Sequence, residues 1–274
     1  MNCPKISGRY IFRKVYRLCI LMIAGACSVF EYHPYETMLD DSEKNLNSRA
    51  IKTIQENVSD PDTLTIIAIG DSQRFYDELK DFVKSANQQK ADFVILNGDI
   101  SDFGLKDEYQ WVDEIMQTLN KPYIGVIGNH DLSGNGEKIY TKMYGPLNTS
   151  FIVNGFKFIL LNTNSREYAF SSSVPDLNWL NAELNTHDFH RAIVVSHVPP
   201  YDSDFNPDLE VSYANTLSQS GRVAMSLHAH RHTFEYGQPY QDGTDYLVAT
   251  SMNERMYLVI RLYGHQYTFT KIFY

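Results

Sequence analysis

Asp71 and Gln73 stand two residues apart in "IAIGDSQRF", where an apolar run has just reached a glycine. Together they offer one cation a carboxylate and an amide. Four more polar clusters follow along the chain. They are Asp99 and Asp102 in "NGDISD", Asn129, His130 and Asp131 in "GNHD", His197 in "VVSHVPP", and His228, His230 and His232 in "LHAHRH". A single acid after an apolar run is ordinary turn or cap chemistry. Five ordered clusters of acids, amides and imidazoles call for another explanation. Hard oxygens and imidazoles without a thiolate suit Mn, Fe or Zn rather than copper or a structural zinc. Two such ions about 3.5–4 Å apart need a bridging carboxylate and ligands on both sides, and they suit in-line phosphoryl displacement.

Strands must end where these clusters begin. "TLTIIAIG", "DFVILNGD" and "YIGVIGNHD" read as buried strands. Between them lie two amphipathic helical stripes, Leu79, Phe82, Val83 and Ala86, then Trp111, Val112, Ile115, Met116 and Leu119. That alternation predicts βαβ units and a parallel sheet. Asn154-Gly155 in "SFIVNGFKFILLN" then predicts a hairpin. "PDLNWLNAELN" reads as a helix, and "RAIVVSHVPP", "RVAMSLHAHRH", "DYLVAT", "MYLVIRLY" and "QYTFTKIFY" as further strands. One domain with two sheets is expected, the first parallel and the second largely antiparallel. Leu132–Ser150 and Tyr201–Thr216 lack periodicity and read as long loops rimming the site and choosing the substrate.

Composition narrows the class. Of 274 residues, 43% are hydrophobic and 21% charged, which fits a globular chain rather than a disordered one. The net charge is −9, although the first 26 residues carry Lys5, Arg9, Arg13, Lys14 and Arg17 and no acid. The remainder is more acidic still, which argues against broad nucleic-acid binding. A small phosphorylated substrate stays compatible, because bound cations reverse the local field. Residues 1–26 read as a signal peptide whose apolar run, "LCILMIAGA", is too short to span a bilayer. Small residues before Cys27 resemble the bacterial lipoprotein signal, which implies lipidation of Cys27. Residues 27–62 then read as a polar tether holding one short helix, and 63–274 as the catalytic domain. The only cysteines are Cys3, Cys19 and Cys27, so the body has no thiol for a disulfide or a metal. The expected location is the bacterial cell envelope, anchored to a membrane. No protein partner is inferable.

The ordered set "GDSQ", "GDISD", "GNHD", "VVSH" and "AHRH" resembles the calcineurin-like metallophosphoesterase superfamily, from about Leu64 to Tyr257. The resemblance implies an α/β fold, a two-sheet αββα sandwich of mixed parallel and antiparallel strands. It implies two divalent ions (Mn, Fe or Zn) and hydrolysis of a phosphomonoester or phosphodiester by a metal-bound hydroxide. Asp71, Gln73 and His232 are then ligands of a first metal, Asp99 bridges, and Asn129, His197 and His230 hold a second. His130 is the general acid, with Asp131 orienting it. Arg74 and Arg231 are candidates for binding the substrate phosphate. Gln73 departs from the usual His, Ala229 from the usual Gly, and Asp102 from the Tyr of purple acid phosphatases. Ala229 leaves two registers, of which His230/His232 is preferred over His228/His230. The Gln73 departure supports an alternative, a non-catalytic ligand- or glycan-binding lipoprotein with a weakened first metal site.

Overall fold

The computed structural model describes residues 33, 36–58 and 63–274. The expected signal peptide and Cys27 lie outside the described residues. Strand β1 (Thr63–Ile69) alternates its side chains between two cores. Leu64, Ile66 and Ala68 point between the sheets, and Ile67 and Ile69 point to the helices outside. Strands β2 (Phe93–Asn97) and β3 (Tyr123–Val126) run parallel to it. Helices α2 (Tyr76–Ala86) and α3 (Lys106–Met116) make the crossovers. The α2 stripe is the expected one, and Asp77 and Glu78 in its first turn with Lys84 in its last complement the helix dipole.

The second sheet contains β4 (Thr149–Val153), β5 (Phe156–Leu160), β6 (Arg191–Val195), β7 (Val223–His228), β8 (Glu235–Gly237) and β9 (Tyr246–Val248). Its order is β4-β5-β6-β7-β9-β8. The β4–β5 hairpin turns at Asn154-Gly155 as expected. The largely antiparallel character expected for this sheet is not observed: β5, β6, β7 and β9 are mutually parallel, and only the edge strands run against them. The tail strands β10 (Met256–Tyr263) and β11 (Gln266–Phe273) return to the first sheet, where β10 pairs antiparallel with β1. The first sheet therefore reads β11-β10-β1-β2-β3.

Phe93, Ile95, Phe158, Ile193 and Leu227 fill the space between the sheets. Helices α5 (Leu177–Leu184) and α6 (Pro207–Ser220) cover the outer face of the second sheet through Leu180, Leu184, Tyr213 and Leu217. Helix, sheet, sheet and helix layers result, as the αββα expectation required.

Three segments differ from expectation. Within the expected tether, α1 (Leu46–Asn57) buries Ile54 in the intersheet core. Asn47 on α1 exchanges two hydrogen bonds with the Gly125 backbone, at 2.8 and 2.9 Å. The compact unit accordingly begins at Thr37 rather than at residue 63. The expected loop Leu132–Ser150 contains α4 (Gly136–Met143), with Ile139, Tyr140 and Met143 buried. The second expected loop runs into α6, capped by the Asn206 side chain with Pro207 in the first turn. Among the described residues no helix is long and apolar enough to cross a membrane.

Candidate metal centre

Each cluster begins where a strand stops, and the backbone turns sharply there. Asp71, Arg74, Asp99, His230 and His232 all have positive φ, between 51° and 68°. Such a conformation costs a non-glycine residue about 1–3 kcal/mol and is characteristic of functional sites. Two glycines permit the close approach of the strand ends. A Cβ on Gly98 would fall 2.2 Å from His197 Nδ1, and one on Gly128 would fall 2.0 Å from the Asp99 amide nitrogen.

The predicted ligands converge. His232 Nε2 lies 3.3 Å from Asp71 Oδ1. Gln73 Nε2 and His197 Nε2 each lie 3.3 Å from Asp99 Oδ2. Asn129 Oδ1 is 3.1 Å from His197 Nε2 and 2.9 Å from His230 Nδ1. Asp99, His197 and His230 bring ligand atoms within 4.8 Å of one another. Asp99 thus stands between an Asp71–Gln73–His232 group and an Asn129–His197–His230 group. His197 Nδ1 donates to the Asn97 carbonyl at 2.8 Å, which leaves Nε2 facing the site.

The donors fit divalent cations. Asp71, Gln73, Asp99 and His197 are buried, yet among the described residues Gln73 Oε1 accepts no hydrogen bond. Asp71 Oδ1 lies 3.9 Å from His197 Nε2 and 3.3 Å from His232 Nε2. Buried acceptors left in this state are costly unless a cation satisfies them. Burial opposes charge on His197, but Asp99 and Asp71 raise it to about 10. Burial likewise opposes charge on Asp99, but His197 and His130 hold its carboxyl below the usual range. The contact with Asp71 raises His232. Burial, then repulsion from His197, lowers His230.

His130 sits beside this centre with its side chain 38% exposed. Its Nδ1 donates to the Asp102 carbonyl at 2.9 Å, and the Asp102 carboxylate is 3.6 Å away. With Nδ1 so engaged, Nε2 is the atom able to exchange a proton. Asp131, expected to orient His130, faces elsewhere. Its carboxylate accepts from the amides of Ile100, Ser101 and Gly128 and from the Ser101 hydroxyl. Asp131 fastens the two loops, and the Asp102 backbone orients His130. Both candidate phosphate-binding arginines already have partners. Arg74 pairs with Asp102. Arg231 pairs with Glu235 at 2.6 Å and Asp202 at 2.8 Å.

The histidine register follows from the same geometry. β7 ends at His228, whose ring nitrogens meet the hydroxyls of Ser196 and Ser226 at 3.0 and 2.8 Å. Its ring stacks on Tyr246 in the second sheet. The chain then curls, so the three histidines do not share one face, and only His230 and His232 reach the centre. Sequence reasoning passed over Asp202 and Asp204, each 3.6 Å from His230 Nε2. Two acids two residues apart directly after "HVPPY" were the available signal.

Two mixed sheets between helical layers, with acids, amides and imidazoles gathered at strand ends, define a metallophosphoesterase-type domain. The chain belongs to the calcineurin-like phosphoesterase family, whose family model matches residues 64–234. It is 27% identical to a 3',5'-cyclic-nucleotide phosphodiesterase from Nostoc sp. over 40% of this chain and 42% of that protein. It is 26% identical to a probable cyclic nucleotide phosphodiesterase from Moraxella catarrhalis over 58% of this chain and 61% of that one. The matches thus span about half the length of these relatives. A dimetal phosphatase from Danio rerio shares the fold, with a TM-score of 0.62 and 14% identity over 75% of this chain and 98% of that one.

Proposed function

We propose that the protein hydrolyses a phosphodiester at a dinuclear metal centre. The observation that carries this is the shared position of Asp99 between two ligand groups, with His130 beside them. Asp71, Gln73, Asp99 and His232 would hold one ion, and Asp99, Asn129, His197 and His230 the other. Mn, Fe or Zn suits these donors. When bound, the ions supply positive charge that acidifies water and neutralises phosphoryl oxygens.

The side chains supply the rest. His130 Nε2 gives its proton to the leaving oxygen, and the Asp102 carbonyl, accepting from Nδ1, holds the ring in place for it. Asp202 and Asp204 lie against His230 on the rim of the site. The names of the Nostoc and Moraxella relatives support a diester. Export and lipidation at Cys27 rest on the order of basic, apolar and small residues before it. Loss of palmitate labelling in Cys27→Ser tests that part.

The catalytic assignment is tested with aryl phosphodiesters of graded leaving-group pKa. His130→Ala should lower kcat by about 10²–10⁴-fold, most for the poorest leaving groups. An equal loss across the series would remove His130 from the proton-donor role.

A further inference from the structure

Phe103 stands next to the carbonyl that holds His130. The Asp102 oxygen accepts from His130 Nδ1 at 2.9 Å, and Phe103 follows it by one peptide bond. Phe103 is nevertheless 61% exposed. A lone exposed apolar side chain is ordinary. This one is held out by the backbone on both sides of it. Glu108, itself buried, accepts from the amides of Phe103 and Leu105 at 2.9 and 3.2 Å. Gly104 turns the chain at a φ of 66° against the loop after His130, where a Cβ would fall 2.1 Å from the Ser133 carbonyl oxygen. Phe103 thus sits between two residues that both touch the His130 segment. One helical turn along α3 from Glu108, Trp111 is also exposed, and it meets the Tyr76 ring edge-on at 5.7 Å. Arg74 is paired with Asp102, so its charge is already met. An apolar ring beside the proton donor suits a neutral apolar group better than a second phosphate.

We propose that Phe103 is a specificity-determining residue that receives a planar aromatic group carried by the leaving alcohol, an aryl ring or a nucleobase. The inference rests on the diester reading above, with His130 as proton donor. The leaving oxygen must come within hydrogen-bond reach of His130 Nε2. That nitrogen is only the width of an imidazole from the one bonded to Asp102, so the alcohol lies within a side chain's reach of Phe103. The bond from phosphorus to this alcohol breaks, its oxygen takes the His130 proton, and water supplies the new oxygen on phosphorus. A phenylalanine ring offers a face to any planar group and no hydrogen bond, so it selects for shape rather than for one base. Its backbone is set before substrate arrives, so little ordering is lost on stacking.

Three methyl phosphodiesters that differ only in the leaving alcohol test this: the naphthyl ester, the methyl ester of AMP and the trifluoroethyl ester. The full chain loaded with Mn²⁺ is assayed on each. Phe103→Ala should lower kcat/KM about 5–20-fold for the naphthyl ester, the AMP ester or both, and less than about twofold for the trifluoroethyl ester. The larger loss identifies the aryl ring or the nucleobase as the group received. The loss should fall on KM more than on kcat, unlike that of His130→Ala, and Phe103→Tyr should recover most of it. Phe273→Ala removes a still more exposed ring from the edge strand β11 and should leave all three esters unchanged. Equal losses across the three esters in Phe103→Ala, no loss with either aromatic ester, or a matching loss in Phe273→Ala would overturn the proposal. A wild-type chain that hydrolyses none of the esters would instead defeat the diester reading on which it rests.

Discussion

Replacing Asp131 by Ala separates a structural carboxylate from a catalytic one. Asp131 accepts hydrogen bonds from Ile100 N at 3.2 Å, Ser101 N at 2.7 Å, Ser101 Oγ at 2.8 Å and Gly128 N at 2.9 Å. Alanine leaves three buried backbone amides without an acceptor, each worth about 1–3 kcal/mol. The serine hydroxyl can turn to another partner and adds little. Part of the loss is offset, because the charge is itself under pressure. Burial, then the nearby Asp99, pushes Asp131 up to about 6 despite its donors. The lower end of the range, about 3 kcal/mol in total, is therefore expected. Urea unfolding of the metal-free chain measures it, and kcat is taken under conditions where the variant is folded. The variant should be much less stable, with a kcat loss at least tenfold smaller than that of His130→Ala. A stability cost under about 1 kcal/mol, with kcat falling as far as in His130→Ala, would refute this reasoning and restore Asp131 as the partner of His130.

Gln73→His places an imidazole where an amide stands, and its Mn²⁺ affinity should exceed that of wild type by calorimetry. An unchanged affinity would place Gln73 outside the metal's ligands and leave Asp71 to hold that ion with less help. His228 gives a pH signature. Burial, then repulsion from His197, lowers it to about 3 from the usual 6.5 of an imidazole. Its neutral form is favoured in the fold, so its contribution is complete above about pH 6.5 and is lost as pH falls. Between pH 6 and 5 the wild type should lose about 1 kcal/mol more stability than His228→Gln, read from urea midpoints. Parallel pH profiles for the two proteins would count against a buried neutral His228.

The centre was largely legible because its residues sit directly after apolar runs. Strands of buried Val, Ile and Leu announce where they end, and Asp71, Asp99, Asn129, His197 and His230 stand at those ends. Asp131 was misassigned for a reason that sequence cannot reveal. An acid beside a histidine reads the same whether it faces the ring or turns back to the Ile100–Ser101 amides. Asp202 and Asp204 were passed over because acids in a polar segment look like ordinary turn chemistry. The return of the loop to His230, 3.6 Å from each carboxylate, brings them beside the centre. Helix α6 was hidden because Tyr213, Ala214 and Leu217 are its only buried residues along fourteen. The pairing of β10 with β1 joins distant segments, and strand periodicity does not encode direction. The parallel interior of the second sheet was missed on the same ground.

The most direct test strips the protein with a chelator and restores Mn²⁺ stepwise while following hydrolysis of bis-p-nitrophenyl phosphate. Wild type should be inactive without metal and regain turnover as two ions bind per chain. Asp99→Ala should stay inactive at every concentration, because both ligand groups lose the carboxylate they share. Turnover that persists after stripping, or that returns equally in Asp99→Ala, would contradict a metal-dependent phosphodiesterase built around Asp99.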